Sequence, residues 1–126
     1  MDSLQNLESD PNLWVYKGAL LYLLERPEEA KSQFERTLAS DRSNFWAMYN
    51  LALVEYDLGN KLKAAEIFLK TREINNRMYL GELMAAVIYE ELGMIDKALR
   101  HYDIALRNIA FRNEEIREWM EELRGD

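Results

Sequence analysis

The 126 residues carry a net charge of −7, and no cysteine occurs among them. That length suits one domain with its own core and excludes a large multidomain enzyme. Without thiols there is no disulfide framework, no thiolate metal site and no cysteine nucleophile, and an acidic surface repels phosphate backbones, so nucleic acid is not an expected partner.

Charged residues make up 31 % of the chain and hydrophobic ones 48 %, a balance that supports a folded core rather than disorder. The opening stretch MDSLQNLESD places acids where a secretory leader needs a basic start and an apolar run, so no leader is expected and residues 1–10 read as an N-terminal arm. Leu13 to Leu24 is the most apolar segment, but it is too short to span a bilayer and is broken by Lys17. No membrane partner is expected. The missing cysteines fit a cytoplasmic protein.

Asp10 before Pro11 reads as an N-cap with proline at the first helical position, where a missing N–H costs nothing. Pro27 opens a second helix in the same way, with Glu28 and Glu29 near its positive end. Gly59 and Gly93 fall where helices should stop, because glycine accepts the left-handed conformation found just past a helix end. The matching residue in the first turn is Glu25, so that turn must differ or carry strain. These signals predict helices near 11–24, 28–40, 45–58, 61–74, 79–92 and 95–109, with a last one near 113–124. No alternating run suggests a strand. The last helix carries Ile116, Trp119, Met120 and Leu123 on one face and suits the exposed end of a stack.

A period runs through these elements. Ala30, Ala64 and Ala98 lie 34 residues apart, and Phe34, Phe68 and Tyr102 keep the same step. Gly18, Ala52 and Ala86 form a third in-register set, and Trp14 adds a large ring in the first period. Small residues let paired helices approach, and the aromatic fills the space between neighbouring units.

On these residues the chain resembles the tetratricopeptide repeat, a helix–turn–helix unit of the same length. The resemblance implies an all-α, right-handed superhelical solenoid of seven helices. Repeats are expected at 11–44, 45–78 and 79–112, with a capping helix at 113–126. The chain departs from the family pattern at Met48 and Glu82, where a tryptophan is usual. It departs again at Leu21 and Glu55, which take a tyrosine position, and at Arg42, Asn76 and Ala110, which take a proline position.

Catalytic chemistry has little to work with. His101 is the only histidine, with no spacing that supplies a nucleophile or a ligand set, and reads as a surface residue on a helix. Adjacent acids such as Glu28–Glu29, Glu90–Glu91, Glu114–Glu115 and Glu121–Glu122 point about 100° apart on helices and offer no calcium cage. No phosphate loop or nucleophile elbow occurs. No enzyme activity, metal or cofactor is expected.

The third helix shows a second apolar side. Met48, Leu51 and Ala52 mark its packing face, yet Trp46, Tyr49, Leu53 and Tyr56 align on another. The resemblance places such residues on a concave groove, adding Val15, Ala19, Tyr22 and Leu23 from the first repeat and Leu80, Leu83 and Val87 from the third. Asn50 joins this wall, while Asp57, Glu90 and Glu91 close one end. The implied partner is a protein or peptide segment, apolar or amphipathic with basic flanks, as in small adaptors and chaperones of the family. Relatives that clamp a chaperone's C-terminal carboxylate use lysines, asparagines and an arginine. Here those places read Val15, Ala19, Asn50, Leu80 and Met84, so no such clamp is expected. The rival reading is self-association into a homo-oligomer through the groove or stack ends, or a groove filled by the chain's own Leu4 and Leu7. A plain binding module would be a monomer.

Overall fold

The computed structural model describes residues 10–75 and 79–110, with residues 114, 118, 121, 122 and 125 beyond them. The described residues form six helices: α1 (Pro11–Leu23), α2 (Pro27–Ser40), α3 (Phe45–Asp57), α4 (Lys61–Ile74), α5 (Leu80–Glu91) and α6 (Ile95–Ala110). Glu114, Glu118, Glu121 and Glu122 are helical and exposed. The apolar face expected of the last helix lies outside the described residues, as does the arm over residues 1–9.

Sequence sets both ends of the helices. The Asp10 carboxylate accepts from the Asn12 N–H at 2.9 Å, and Asn44 caps α3 by accepting from the Ala47 N–H at 3.1 Å. The turns inside the three helix pairs share one hydrogen-bond pattern. Gly59 N–H donates to Tyr56 O at 3.0 Å and Asn60 N–H to Glu55 O at 2.9 Å. Gly93 and Met94 repeat this on Glu90 and Tyr89, and Glu25 and Arg26 repeat it on Tyr22 and Leu21. Gly59 and Gly93 have φ of 91° and 77°, and Glu25 is forced to 61°. The first turn is therefore the same turn, made with a residue that dislikes it.

Each helix packs mainly on its neighbours in sequence, and α1 also touches α3. That nearest-neighbour pattern makes a solenoid. Ala30 and Ala64 are fully buried and Ala98 nearly so, with Phe34 and Phe68 beside them in the core. Close approach is enforced by absent atoms. A Cβ on Gly18 would lie 2.6 Å from the Phe34 ring, and one on Gly81 would lie 2.5 Å from the Phe68 carbonyl oxygen. Thr37, Thr71 and Ala105 extend the period at buried positions, and the Thr71 hydroxyl donates to Phe68 O at 2.6 Å. Met48 and Leu51, expected on the packing face, are half-buried, whereas Ala52 is fully buried.

Among the described residues two carboxylates, Glu55 and Glu82, are buried, and each sits where the repeats join. Glu55 of α3 is fully buried, 2.8 Å from Lys31 Nζ of α2 and 3.7 Å from Lys63 Nζ of α4. The Asn60 amide donates to it at 2.8 Å. Burial alone would raise the Glu55 carboxyl, but the hydrogen bonds from Lys31 and Asn60, with the charges of Lys31 and Lys63, hold it below the usual range. Glu82 of α5 accepts from Arg72 of α4, and its other oxygen lies 3.0 Å from His101 Nδ1 on α6. His101 is not the surface residue expected: its ring stacks on Tyr89 at 5.6 Å and its side chain keeps only 17 % exposure. The buried acid at an otherwise apolar register position explains this, since a carboxylate out of water needs a cation or donor.

Candidate functional site

The first helices of the pairs, α1, α3 and α5, form one layer and their partners α2, α4 and α6 the other. Between α1 and α3 lie two adjoining depressions. The first, about 380 Å³, is lined by Asn12, Val15, Tyr16, Ala19, Asn44, Trp46 and Asn50. The second, about 250 Å³, is lined by Ala19, Tyr22, Leu23, Phe34, Asn50 and Leu53. Ala19 and Asn50 belong to both, so one continuous furrow runs along the wall. The small Ala19 opens it, and Trp46, half-exposed, stands at its rim. Val15 is 7 % exposed and packs with Phe34, Ala47 and Val54, so it floors the furrow from the core.

Tyr49 is half-buried, with its ring 6.1 Å from Phe45 and 5.1 Å from Phe68, so most of its area is spent on packing. Burial raises its hydroxyl above the usual tyrosine value. Leu80 and Val87 on α5 are exposed and Leu83 is half-buried, on the continuation of the wall beyond α3.

The acids at one end are engaged. Tyr22 of α1 bonds to Asp57 of α3, and Tyr56 of α3 donates to Glu91 of α5 at 2.6 Å. Each tyrosine thus latches onto an acid of the next repeat. Burial first, then the hydrogen bond and charge of Asp57, push the Tyr22 hydroxyl up to about 12. The bond to Glu91 raises the Tyr56 hydroxyl above its usual value. Lys61 pairs with Glu91 at 2.6 Å, and Tyr102 donates to Glu90 at 3.5 Å. Tyr22 and Tyr56, expected as apolar lining, therefore also act as inter-repeat ties. Asp57 and Glu90 are exposed, and neither lines the two depressions.

Among solved structures, MamA superposes with a TM-score of 0.80 at 22 % identity, over 84 % of this chain and 62 % of that one. The second tetratricopeptide domain of Spaghetti (RPAP3), bound to the HSP90 peptide SRMEEVD, gives 0.70 at 15 % identity, over 84 % and 97 %. YrrB, a tetratricopeptide protein with an unusual peptide-binding site, gives 0.72 at 18 % identity, over 90 % and 58 %. The fold is that of the tetratricopeptide-repeat proteins. No protein-family profile matches the chain. Human protein O-mannosyl-transferase TMTC3 is 29 % identical over 83 residues, which is 65 % of this chain and 9 % of that protein.

Within the tetratricopeptide register, the furrow is the face between successive first helices. Sequence reasoning passed over Asn12, Tyr16 and Asn44, which complete the first depression. For Tyr16 and Asn12 the signal was available, since they lie 34 residues before Asn50 and Trp46 and share their positions of the repeat. The tyrosine–acid ties were written as well, in the 35-residue step from Tyr22 to Asp57 and from Tyr56 to Glu91. Among the described residues no three metal-ligating side chains gather, and no helix is long and apolar enough to cross a membrane.

Proposed function

We propose that this chain is a non-enzymatic, cytoplasmic protein-interaction module holding an apolar or amphipathic segment of another protein along the furrow between α1 and α3. The observation that carries the reading is the furrow itself. It is walled by apolar surface, floored by Val15 and Ala19, and edged by Asn12, Asn44 and Asn50, whose amides both donate and accept. Trp46 combines large area with half exposure, as a binding anchor does. Peptide occupancy of Spaghetti and the peptide-binding site of YrrB support a peptide ligand. The HSP90 peptide is not proposed, because of the clamp positions only Asn50 keeps a polar side chain suited to it. Leu80, Leu83 and Val87 extend the apolar wall for a longer ligand, and exposed Asp57 and Glu90 favour Lys or Arg beside its anchors.

The test is a titration with a synthetic amphipathic peptide carrying leucine anchors and lysine flanks, alongside its acid-flanked counterpart. The basic peptide should bind, and Trp46→Ala should weaken it about tenfold or more while leaving the melting temperature nearly unchanged. Rising salt should slow association and leave dissociation little altered. Equal binding of the acidic peptide to the wild type and to Trp46→Ala would remove the furrow from the reading.

A further inference from the structure

Ala19 of α1 and Asn50 of α3 make the neck where the two depressions meet. Asn50 is half-buried, and among the described residues its amide takes no hydrogen-bond partner. Asn44 differs: it donates to Asn12 at 3.4 Å and accepts from the Ala47 N–H at 3.1 Å. A carboxamide offers an acceptor oxygen and two donor hydrogens, the complement of a peptide unit. Ala19 has nothing beyond Cβ, which leaves room for a main chain to come down onto Asn50. The linings on either side are unlike. Tyr22, Leu23, Phe34 and Leu53 make the second depression apolar, whereas the first mixes the rings of Tyr16 and Trp46 with amides. Among the described residues no charged side chain lines either one.

Spacing alone does not choose the conformation of a ligand. Trp46 and Leu53, at the outer limits of the furrow on α3, are seven residues apart, or about 10 Å along the helix. Two side chains seated on either side of Asn50 stand about 7 Å apart. Alternate residues of an extended strand match that at about 6.8 Å, and helical residues four apart at about 6 Å. The amide decides. A helix satisfies its main chain internally and brings only side chains to Asn50, whereas a strand pressed into the furrow brings N–H and C=O groups that need partners. Resting on the furrow as the binding face, we infer that the partner lies there as an extended strand. Alternate neutral residues fill the two depressions, and the main chain between them bonds to Asn50. The anchors are neutral because a charge buried against this lining finds no counter-ion. An aliphatic side chain suits the second depression and a tyrosine the first. Asp57, bonded by Tyr22 and exposed one turn beyond Leu53, favours a Lys or Arg next to the aliphatic anchor.

Binding of three synthetic peptides, followed by fluorescence polarisation, tests this. The first carries leucine and tyrosine on alternate residues, with lysine beside the leucine. The second is the same peptide N-methylated at the residue between those anchors. The third is a hydrocarbon-stapled helix with leucine and tyrosine four residues apart. The first should bind the wild type at least about tenfold more tightly than the other two. For Asn50→Ala, N-methylation should change the affinity less than about twofold, because the partner of that main chain is gone. A stapled helix that binds as tightly as the strand overturns the inference and leaves the furrow standing as the binding face. An N-methylation loss equal in the wild type and in Asn50→Ala overturns it too. So does a lower melting temperature for Asn50→Ala, which would mean that the amide is bonded inside the protein. If none of the three peptides binds, the furrow as binding face falls along with it.

Discussion

Glu25→Gly should make the protein more stable, although it deletes a side chain. Glu25 stands at φ 61°, in the turn that Gly59 and Gly93 make at 91° and 77°. The left-handed conformation costs an L-residue about 1–2 kcal/mol, because Cβ crowds the following carbonyl. Glycine escapes that cost but has more freedom to lose from the unfolded chain, about 0.5–1 kcal/mol. The side chain is exposed, so its removal empties nothing. The difference is a gain of about 0.5–1 kcal/mol, or a rise of about 2–5 °C in melting temperature for a chain of this size. Gly59→Ala is the reciprocal control. A Cβ there meets nothing within 4 Å, so its expected loss of about 1 kcal/mol comes from the backbone alone. Urea midpoints and calorimetry should give opposite signs for the two variants. If Glu25→Gly lowers the midpoint, the strain assigned to the first turn is wrong.

Gly81→Ala would drive a Cβ against the Thr71 hydroxyl and the Phe68 carbonyl, so α4 and α5 must part, at a cost of about 1–3 kcal/mol in urea denaturation. Tyr49→Ala should cost about 2 kcal/mol through its ring contacts with Phe45 and Phe68, against less than about 1 kcal/mol for half-exposed Trp46→Ala; equal losses would erase the distinction between packing and rim. Glu55 has a folded pKa below its unfolded value, so its contribution is complete above an unfolded pKa of about 4.3 and is lost as pH falls through the folded value. The stability gap between the wild type and Glu55→Gln should therefore close on acidification, and a gap that widens would contradict the assigned direction. Lys31→Met strands the buried carboxylate with fewer partners, and should cost at least about 1 kcal/mol more than Glu55→Gln at neutral pH.

The solenoid was legible because its requirements recur. Small residues at Ala30, Ala64 and Ala98, and rings at Phe34 and Phe68, must reappear wherever helices approach equally closely, so the spacing alone betrays them. The turns were legible through two prolines and two glycines, and even the anomaly at Glu25 was visible as a missing glycine. Less could be read where a side chain has two ends. Periodicity assigns Tyr22 and Tyr56 to an apolar face but says nothing of hydroxyls, which reach acids of the next repeat. His101 looked isolated because its partner Glu82 is 19 residues away and on another helix. What should have pointed to it was the acid, since Glu82 holds a buried register position and needs a donor from a neighbouring helix. The groove reading named Trp46, Asn50 and Leu53 on α3 and Val15, Ala19, Tyr22 and Leu23 on α1, but passed over Asn12 and Asn44 near the N-terminal ends of those helices.

Where the chain places its charge bears on the proposed function. Lys31–Glu55 ties the first repeat to the second, and Lys61–Glu91 and Arg72–Glu82–His101 tie the second to the third. Buried or half-buried pairs of this kind contribute little net stability, because each ion gives up its water. They are selective instead, since a helix that docks out of register leaves a carboxylate in the core without its cation. These ions favour one docking register between neighbouring repeats, and the furrow keeps its apolar area outside those joints. A peptide in the furrow therefore needs no buried ion to be undone, and would gain its energy from apolar wall area and from Trp46, which already stands half in water.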